Sequence, residues 1–302
     1  NKEVSKKELF NHLHTLPKQS NAIPYITSYY NKYWGFSIDY KNYLELKKKY
    51  KSNTEKFKVN INSSLNKNGS LTYGEFVVPG KLKKEILIST YVCHPSMANN
   101  ELSGPLVALA LAKYFFLNKV SRYTLRFLFI PETIGSITYL CRNLKKLKKN
   151  VIAGYNLSCI GDERKYSFLP TKYGNTISDE AALQAFKELK LKFTKYSFLK
   201  RGSDERQYNS PGIDLPVASL MRSKYGTYPE YHTSLDNFSL VTSKGLKGGF
   251  DLAKRAISIL MKKNIKKKLI KISIKKKSKS INIFPKTRIL CEPNLGKRGM
   301  YP

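Results

Sequence analysis

Ser89-Thr-Tyr-Val-Cys-His-Pro-Ser-Met-Ala-Asn-Asn-Glu-Leu-Ser-Gly-Pro105 is the stretch whose reading decides the fold. Upstream of its loop, Glu85–Val92 is rich in Ile, Leu, Thr and Val, the composition of a buried strand. Downstream, Ser103 stands where it can cap a helix whose apolar run continues through Leu106–Leu117. Between them lie His94, Asn99, Asn100 and Glu101. In an open α/β sheet, ligands bind at the loops that leave the carboxyl ends of the strands. A His in such a loop, followed closely by amide and carboxylate side chains, is a candidate metal site. One His alone reads more readily as a structural residue; repetition of the pattern gives it weight.

That repetition runs from Glu85 to about Lys263 as strand, loop, helix. Strands are expected at Thr124–Ile130, Val151–Ile160 and Pro216–Met221, and helices at Ser136–Leu147, Ser178–Leu191 and Val241–Leu260. Each exit loop carries a His or a carboxylate: His94 with Glu101, then Glu132, Asp162, Asp204 with Glu205, and His232 with Asp236. The alternation predicts a three-layer, doubly wound, mostly parallel sheet, with a small β subdomain beside it. In such a sheet these side chains share one edge. Mixed His and carboxylate ligation suits Zn²⁺ or another divalent ion. Glu132 ends a very apolar strand, where desolvation would raise its pKa into the range of a general base.

Before Glu85 the character changes. Ser5 with Glu8 makes a capping box ahead of Leu9, Phe10, Leu13 and Leu16. Phe57-Lys-Val-Asn-Ile-Asn alternates, Asn68-Gly69 signals a turn, and Leu71–Val78 again reads as strand. The expected organisation is a helical N-terminal part of the main domain at 1–54, a small β subdomain or its remnant at 55–84, and the α/β domain over 85–302.

The chain of 302 residues carries 55 Lys+Arg against 21 Asp+Glu, a formal net charge of +34. The lysines are spread along the whole chain amid abundant Asn, Ile and Tyr, as an AT-rich genome produces by codon bias, so the charge is a poor argument for a nucleic-acid partner. Lys266–Lys279 is the exception, and is expected as a solvated edge strand. The four cysteines are widely spaced and form no CxxC, which suits free thiols in a reducing, cytoplasmic compartment. No apolar run approaches the roughly 20 residues of a membrane span. Oligomeric state is open.

Taken together, His94, Ala98-Asn-Asn-Glu-Leu-Ser-Gly104, Pro131-Glu132, Gly161-Asp162, Gly202-Ser-Asp204, Pro211-Gly-Ile-Asp-Leu-Pro216 and Tyr231-His-Thr-Ser-Leu-Asp236 resemble the zinc aminopeptidase-like fold. The chain is more closely similar to a bacterial branch of aminopeptidase-like domain proteins, in which CHPSMANNELSGP, PETIGSI, GSDERQY and EYHTSLDN recur together. Members often continue into a winged helix beyond the closing CEPxLGKRGxYP phrase, where this sequence ends, and their genes tend to lie near surface-polysaccharide loci. The resemblance implies His94 and His232 as metal ligands, Glu132 as general base or ligand, and Asp204 as a group that steadies the site. It also places Asn100 and Ser158 where acidic ligands are usual. One metal ion is therefore expected rather than two, held by His94, His232 and Asp162, with Glu101 as a possible fourth ligand. The implied activity is hydrolysis of an amide or aminoacyl bond in a small or peptide-like substrate, which Arg206 or Tyr231 would hold. The altered ligands leave open a binding or regulatory module on the same fold.

Overall fold

The computed structural model describes residues 1–28, 31–64, 68–94, 96–118 and 122–263. Its described residues divide into a smaller unit of Asn1–Ser70 with Pro229–Asn237, and a larger unit of Leu71–Tyr228 with 238–263. The lysine-rich stretch Lys266–Lys279 lies outside the described residues.

In the smaller unit, β1 (Lys2–Ser5) leads into α1 (Lys6–Asn11). The Ser5 side chain accepts from Glu8 N, as the capping pattern predicts. The helix stops before Leu13, because Leu13 and His14 form β2, a short parallel pairing with β3 (Phe36–Ser37). α2 spans Tyr40–Lys49, capped by Asp39, and β4 (Lys56–Val59) pairs antiparallel with β1. The distant segment around His232 joins this unit: Pro24 bridges to Thr233, and Tyr25 N donates to His232 O at 2.9 Å.

The larger unit contains β5 (Gly74–Val78), β6 (Leu82–Tyr91), α3 (Ser103–Leu117), β7 (Tyr123–Ile130), α4 (Ile134–Asn150), β8 (Val151–Leu157), β9 (Ser167–Leu169), α5 (Ile177–Glu188), β10 (Thr194–Lys195), α6 (Glu205–Tyr208), β11 (Val217–Met221) and α7 (Ser243–Lys262). Its seven-stranded sheet has the order β10-β9-β11-β8-β6-β7-β5. The central strands β11, β8, β6 and β7 are parallel; β5 runs antiparallel to β7, and β9 antiparallel to β11. Residues 55–84 are thus divided, β4 serving the smaller unit and β5 the edge of this sheet.

Both faces are covered, which is why the central strands read as unbroken apolar runs. Ile86, Ile88, Leu125 and Phe127 pack beneath α3, α5 and α7. Leu87, Leu128 and Ile130 face the opposite way, against Tyr139, Leu140 and Leu147 of α4.

Ser103 does not cap α3. A π-helical turn over Ala98–Leu102 runs directly into it, and the Ser103 hydroxyl instead donates to Asn99 O (2.5 Å) and accepts from Ile160 N (2.9 Å). The next residue lies against β8: a Cβ on Gly104 would sit 2.5 Å from Leu157 O and 2.4 Å from Thr90 Oγ1. Gly to Ala inside a helix ordinarily stabilises by about 1 kcal/mol. Gly104→Ala is expected to destabilise by roughly 1–3 kcal/mol, as overpacking does. A denaturation midpoint at or above wild type would contradict the close approach.

Candidate functional site

The exit loops of the four central strands are tied to one another by buried polar groups. Asp162, after β8, is the first hub: its carboxylate accepts from Asn99 Nδ2 (3.1 Å), Arg164 N (2.9 Å), Ser223 N (2.8 Å) and Ser223 Oγ (2.8 Å). Asn99 completes the tie by accepting from Gly161 N at 2.8 Å. The loops after β6, β8 and β11 are thereby fixed together.

The second hub joins β7 to the start of α6. Glu132 accepts from Ser203 Oγ at 2.7 Å. Asp204 accepts through Oδ1 from Thr133 N (2.8 Å) and Ser136 Oγ (2.8 Å), while its Oδ2 is buried with no hydrogen-bond partner among the described residues. Thr133 pays for this turn with a left-handed backbone, φ 61°. Glu205 is wholly buried yet well satisfied, accepting from Gly202 N, Ser203 N, Asn156 Nδ2, Ser219 Oγ and Tyr225 Oη.

The third group is the loop after β6. His94 is buried with its Nδ1 2.7 Å from Glu101 Oε1, and Glu101 Oε2 accepts from Cys93 N at 2.8 Å. Asn100 Nδ2 also donates to Glu101 Oε1 and reaches Tyr91 Oη at 3.3 Å. A carboxylate accepting from Nδ1–H fixes the imidazole tautomer and leaves the lone pair on Nε2, which is how metal-ligating histidines are oriented.

These carboxylates feel one another. Desolvation, then the charges of Asp204, Glu101 and Glu205, hold the Glu132 carboxyl well above its ordinary range; the Ser203 hydrogen bond opposes them. Desolvation likewise lifts Asp204 to about 7, against the pull of Thr133 N and Ser136. The Cys93 thiol is pushed up to about 12 by desolvation and then by Glu101, Glu132 and Asp204.

Of the residues expected from sequence, His94, Asn100, Glu101, Glu132, Asp162, Asp204 and Arg206 all belong to the larger unit, whereas Tyr231 and His232 belong to the smaller. There the two rings stack, centroids 3.9 Å apart, and His232 has φ 57°. Arg206 is on α6, close enough to Asp204 to favour its anion. Asn99, named with the loop after β6, proves a positioning group; Ser203, Ser223 and Tyr225 do much of the rest, and residue type does not single them out, since hydroxyls of this kind abound along the chain. Glu205, which the exit-loop pattern pairs with Asp204 in the GSDERQY phrase, is one of these buried acceptors.

The donor chemistry suits a divalent ion in part. His94 is oriented as a ligand would be, and Glu132 is a buried carboxyl that feels the charge of His94's partner Glu101. Asp162, by contrast, already accepts four hydrogen bonds. Ser158 offers a buried hydroxyl without a partner among the described residues, but no charge. Among the described residues, no group of three or more His, Cys, Asp or Glu side chains is arranged to hold a metal.

A mostly parallel sheet with helices on both faces and polar groups gathered at its strand exits defines an α/β domain of the zinc aminopeptidase-like fold. The zinc aminopeptidase BSAP from Bacillus subtilis superposes with a TM-score of 0.54 at 20% identity, over 64% of this chain and 50% of that one. The chain belongs to the family described as Domain of unknown function (DUF4910), whose model matches residues 16–263. A Clostridium acetobutylicum protein named "Putative polysaccharide biosynthesis protein with aminopeptidase-like domain" is 41% identical over 300 residues, 99% of this chain and 63% of its own length. The crystal structure of a "putative peptidase" from Clostridium acetobutylicum matches with a TM-score of 0.79 at 42% identity, over 86% of this chain and 59% of that one. The chain thus spans less than two thirds of these relatives. No helix among the described residues is long and apolar enough to cross a membrane.

Proposed function

We propose that the chain is a peptidase-type hydrolase that uses one divalent metal ion, zinc first among candidates, to cleave an amide or aminoacyl bond in a small or peptide-like substrate. The observation that carries this reading is the buried His94–Glu101 pair on the loop after β6, together with the buried Glu132 at the end of the neighbouring parallel strand β7. The aminopeptidase-like names of its relatives support it, and the polysaccharide name of one makes a sugar-linked substrate worth testing. A reducing, cytoplasmic setting belongs to the same reading, with Cys93, Cys141 and Cys159 as free thiols.

His94 and, on its motif alone, His232 are the imidazoles that would hold the ion. When bound, it would polarise the scissile carbonyl. Glu101 orients His94 and serves as its hydrogen-bond acceptor rather than as a ligand. Glu132 holds and moves the proton of the attacking water, its basicity tuned by burial, Asp204 and Ser203. Asp162 anchors three loops. Arg206 and Tyr231 are the candidates for holding substrate.

Metal analysis after loading with zinc tests the assignment. His94→Ala and His232→Ala are expected to lose the ion, whereas Glu101→Gln should weaken it roughly 10–100-fold, as loss of an orienting partner does. Occupancy should fall as pH drops through the range where imidazoles protonate. The saturation of Asp162 favours one second reading, a catalytically impaired ligand-binding module. Wild-type protein that takes up no divalent ion would decide for that module.

A further inference from the structure

Arg222, the residue that leaves β11, is only 6% exposed yet makes no ion pair among the described residues. Its backbone N donates to Cys159 O at 2.9 Å, its guanidinium lies 3.7 Å over the ring of Tyr166, and its Nε has no hydrogen-bond partner among the described residues. Arg126, the other buried arginine among the described residues, shows the usual arrangement: it is paired with Glu85 and Glu75. Glu163 attracts Arg222 electrostatically without pairing with it, and a buried guanidinium with no anion in contact is costly, because it gives up water for incomplete compensation.

Arg222 lines a cavity of about 360 Å³ together with Tyr166, Lys244 and Lys247. The two lysines belong to the first turns of α7, whose N-terminus carries the positive end of the helix dipole. The carboxylates lining the same cavity are already engaged. Glu163 binds Lys244 (2.8 Å) and the Thr242 hydroxyl (2.6 Å), and Asp251 binds Lys247 (2.5 Å) and Lys254 (3.5 Å). Gly248 keeps space for the guanidinium, since a Cβ there would come within 2.6 Å of both Arg222 Nη1 and Tyr166 Oη.

We propose that Arg222, Lys244 and Lys247 form a binding site for the phosphoryl group of a small phosphorylated molecule, sharing no residue with the carboxylate cluster of the strand exits. A phosphate monoester carries close to two negative charges near neutral pH and three acceptor oxygens. It can take the planar fork of Arg222 and draw both lysines from their solvent-exposed pairs with Glu163 and Asp251, whereas a carboxylate is satisfied by the fork alone. The cavity lies within the size range of small-molecule sites, with the Tyr166 ring as an apolar wall for the rest of the ligand.

Calorimetric titration of the whole chain with pyrophosphate and inorganic phosphate, and with succinate as the carboxylate probe, tests the site. The phosphates are expected to bind with an affinity that falls as salt rises, and succinate more weakly. Arg222→Gln should weaken phosphate binding roughly 10–100-fold, the worth of charged hydrogen bonds. Lys247→Gln, at a side chain 75% exposed and so safe for folding, should weaken it by less. Glu163→Gln should tighten it by freeing Lys244, and Lys145→Gln on α4 should change nothing. The proposal fails if no phosphate binds, if succinate binds more tightly, or if Lys145→Gln weakens binding as much as Lys247→Gln does. Should Arg222→Gln not fold, phosphate binding indifferent to both Lys247→Gln and Glu163→Gln overturns the proposal equally.

Discussion

Glu132→Gln is expected to lower turnover of an aminoacyl or N-acyl substrate by roughly 10²–10⁴-fold, the usual worth of a general base, while the protein folds at least as stably as wild type. Gln has the same size, and its amide oxygen can still accept from Ser203 Oγ. What it lacks is a proton acceptor and a charge. Wild-type Glu132 ionises in a dry setting beside Asp204, Glu101 and Glu205, so its anion is held only at a cost. Removing the charge relieves those neighbours, which is why stability should not suffer. Metal content measured on the same samples separates the two roles of Glu132. Retained metal with lost turnover makes it the base; loss of both makes it a ligand, with Asp204 next in line as base. Because the carboxyl is held above its ordinary range, wild-type turnover should rise with pH until Glu132 is ionised. A pH–rate profile flat from the acid side through neutrality would remove Glu132 as the base.

The fold was legible because the central strands are buried on both faces, so their apolar runs stand out without any knowledge of pairing. Exit-loop chemistry was legible for the same reason: polar residues that close such runs have few other places to go. The roles of individual carboxylates were not. Asp162 and Glu132 occupy equivalent positions in the pattern, yet one is saturated by Asn99, Arg164 and Ser223 and the other accepts chiefly from Ser203. Apart from Arg164, the partners that make this difference are 61 to 71 residues away, and no local pattern encodes them. Short elements escaped as well. Ser103 has the type of a cap, but the π-turn ahead of it removes the free N–H groups that a cap would serve. Arg126 interrupts an otherwise apolar strand, and its acceptance in the sheet depends on Glu85 and Glu75 from the two neighbouring strands. The return of residues 229–237 to the N-terminal unit is a matter of chain path, on which periodicity is silent.

In metal-free protein, Asp204→Asn is expected to remove much of a loss of stability that wild type suffers between about pH 4 and pH 7. Asp204 is fully buried and lifted from 3.8 to about 7, by desolvation first and by Glu205 as well, against hydrogen bonds from Thr133 and Ser136. The native state therefore keeps a proton that the unfolded chain releases near pH 4. A carboxyl raised in this way leaves stability intact below the unfolded pKa and costs progressively more as pH rises through the folded pKa. A shift of this size corresponds to roughly 4 kcal/mol. Asn cannot ionise, and its amide oxygen can still accept from Thr133 N and Ser136 Oγ. Urea unfolding in the presence of a chelator, at several pH values between 4 and 8, reads the difference. Near pH 4 the variant should match wild type; near pH 8 it should exceed it. Some slope should persist, because Glu132 is shifted in the same direction, and the double variant with Glu132→Gln should flatten it further. A variant destabilised equally at all pH values would mean that Asp204 is ionised throughout, its charge serving to hold Thr133 and the turn that carries Glu132. Either result bears on catalysis, since an anionic Asp204 pushes the Glu132 carboxyl further up and holds it protonated, whereas a neutral Asp204 removes that repulsion.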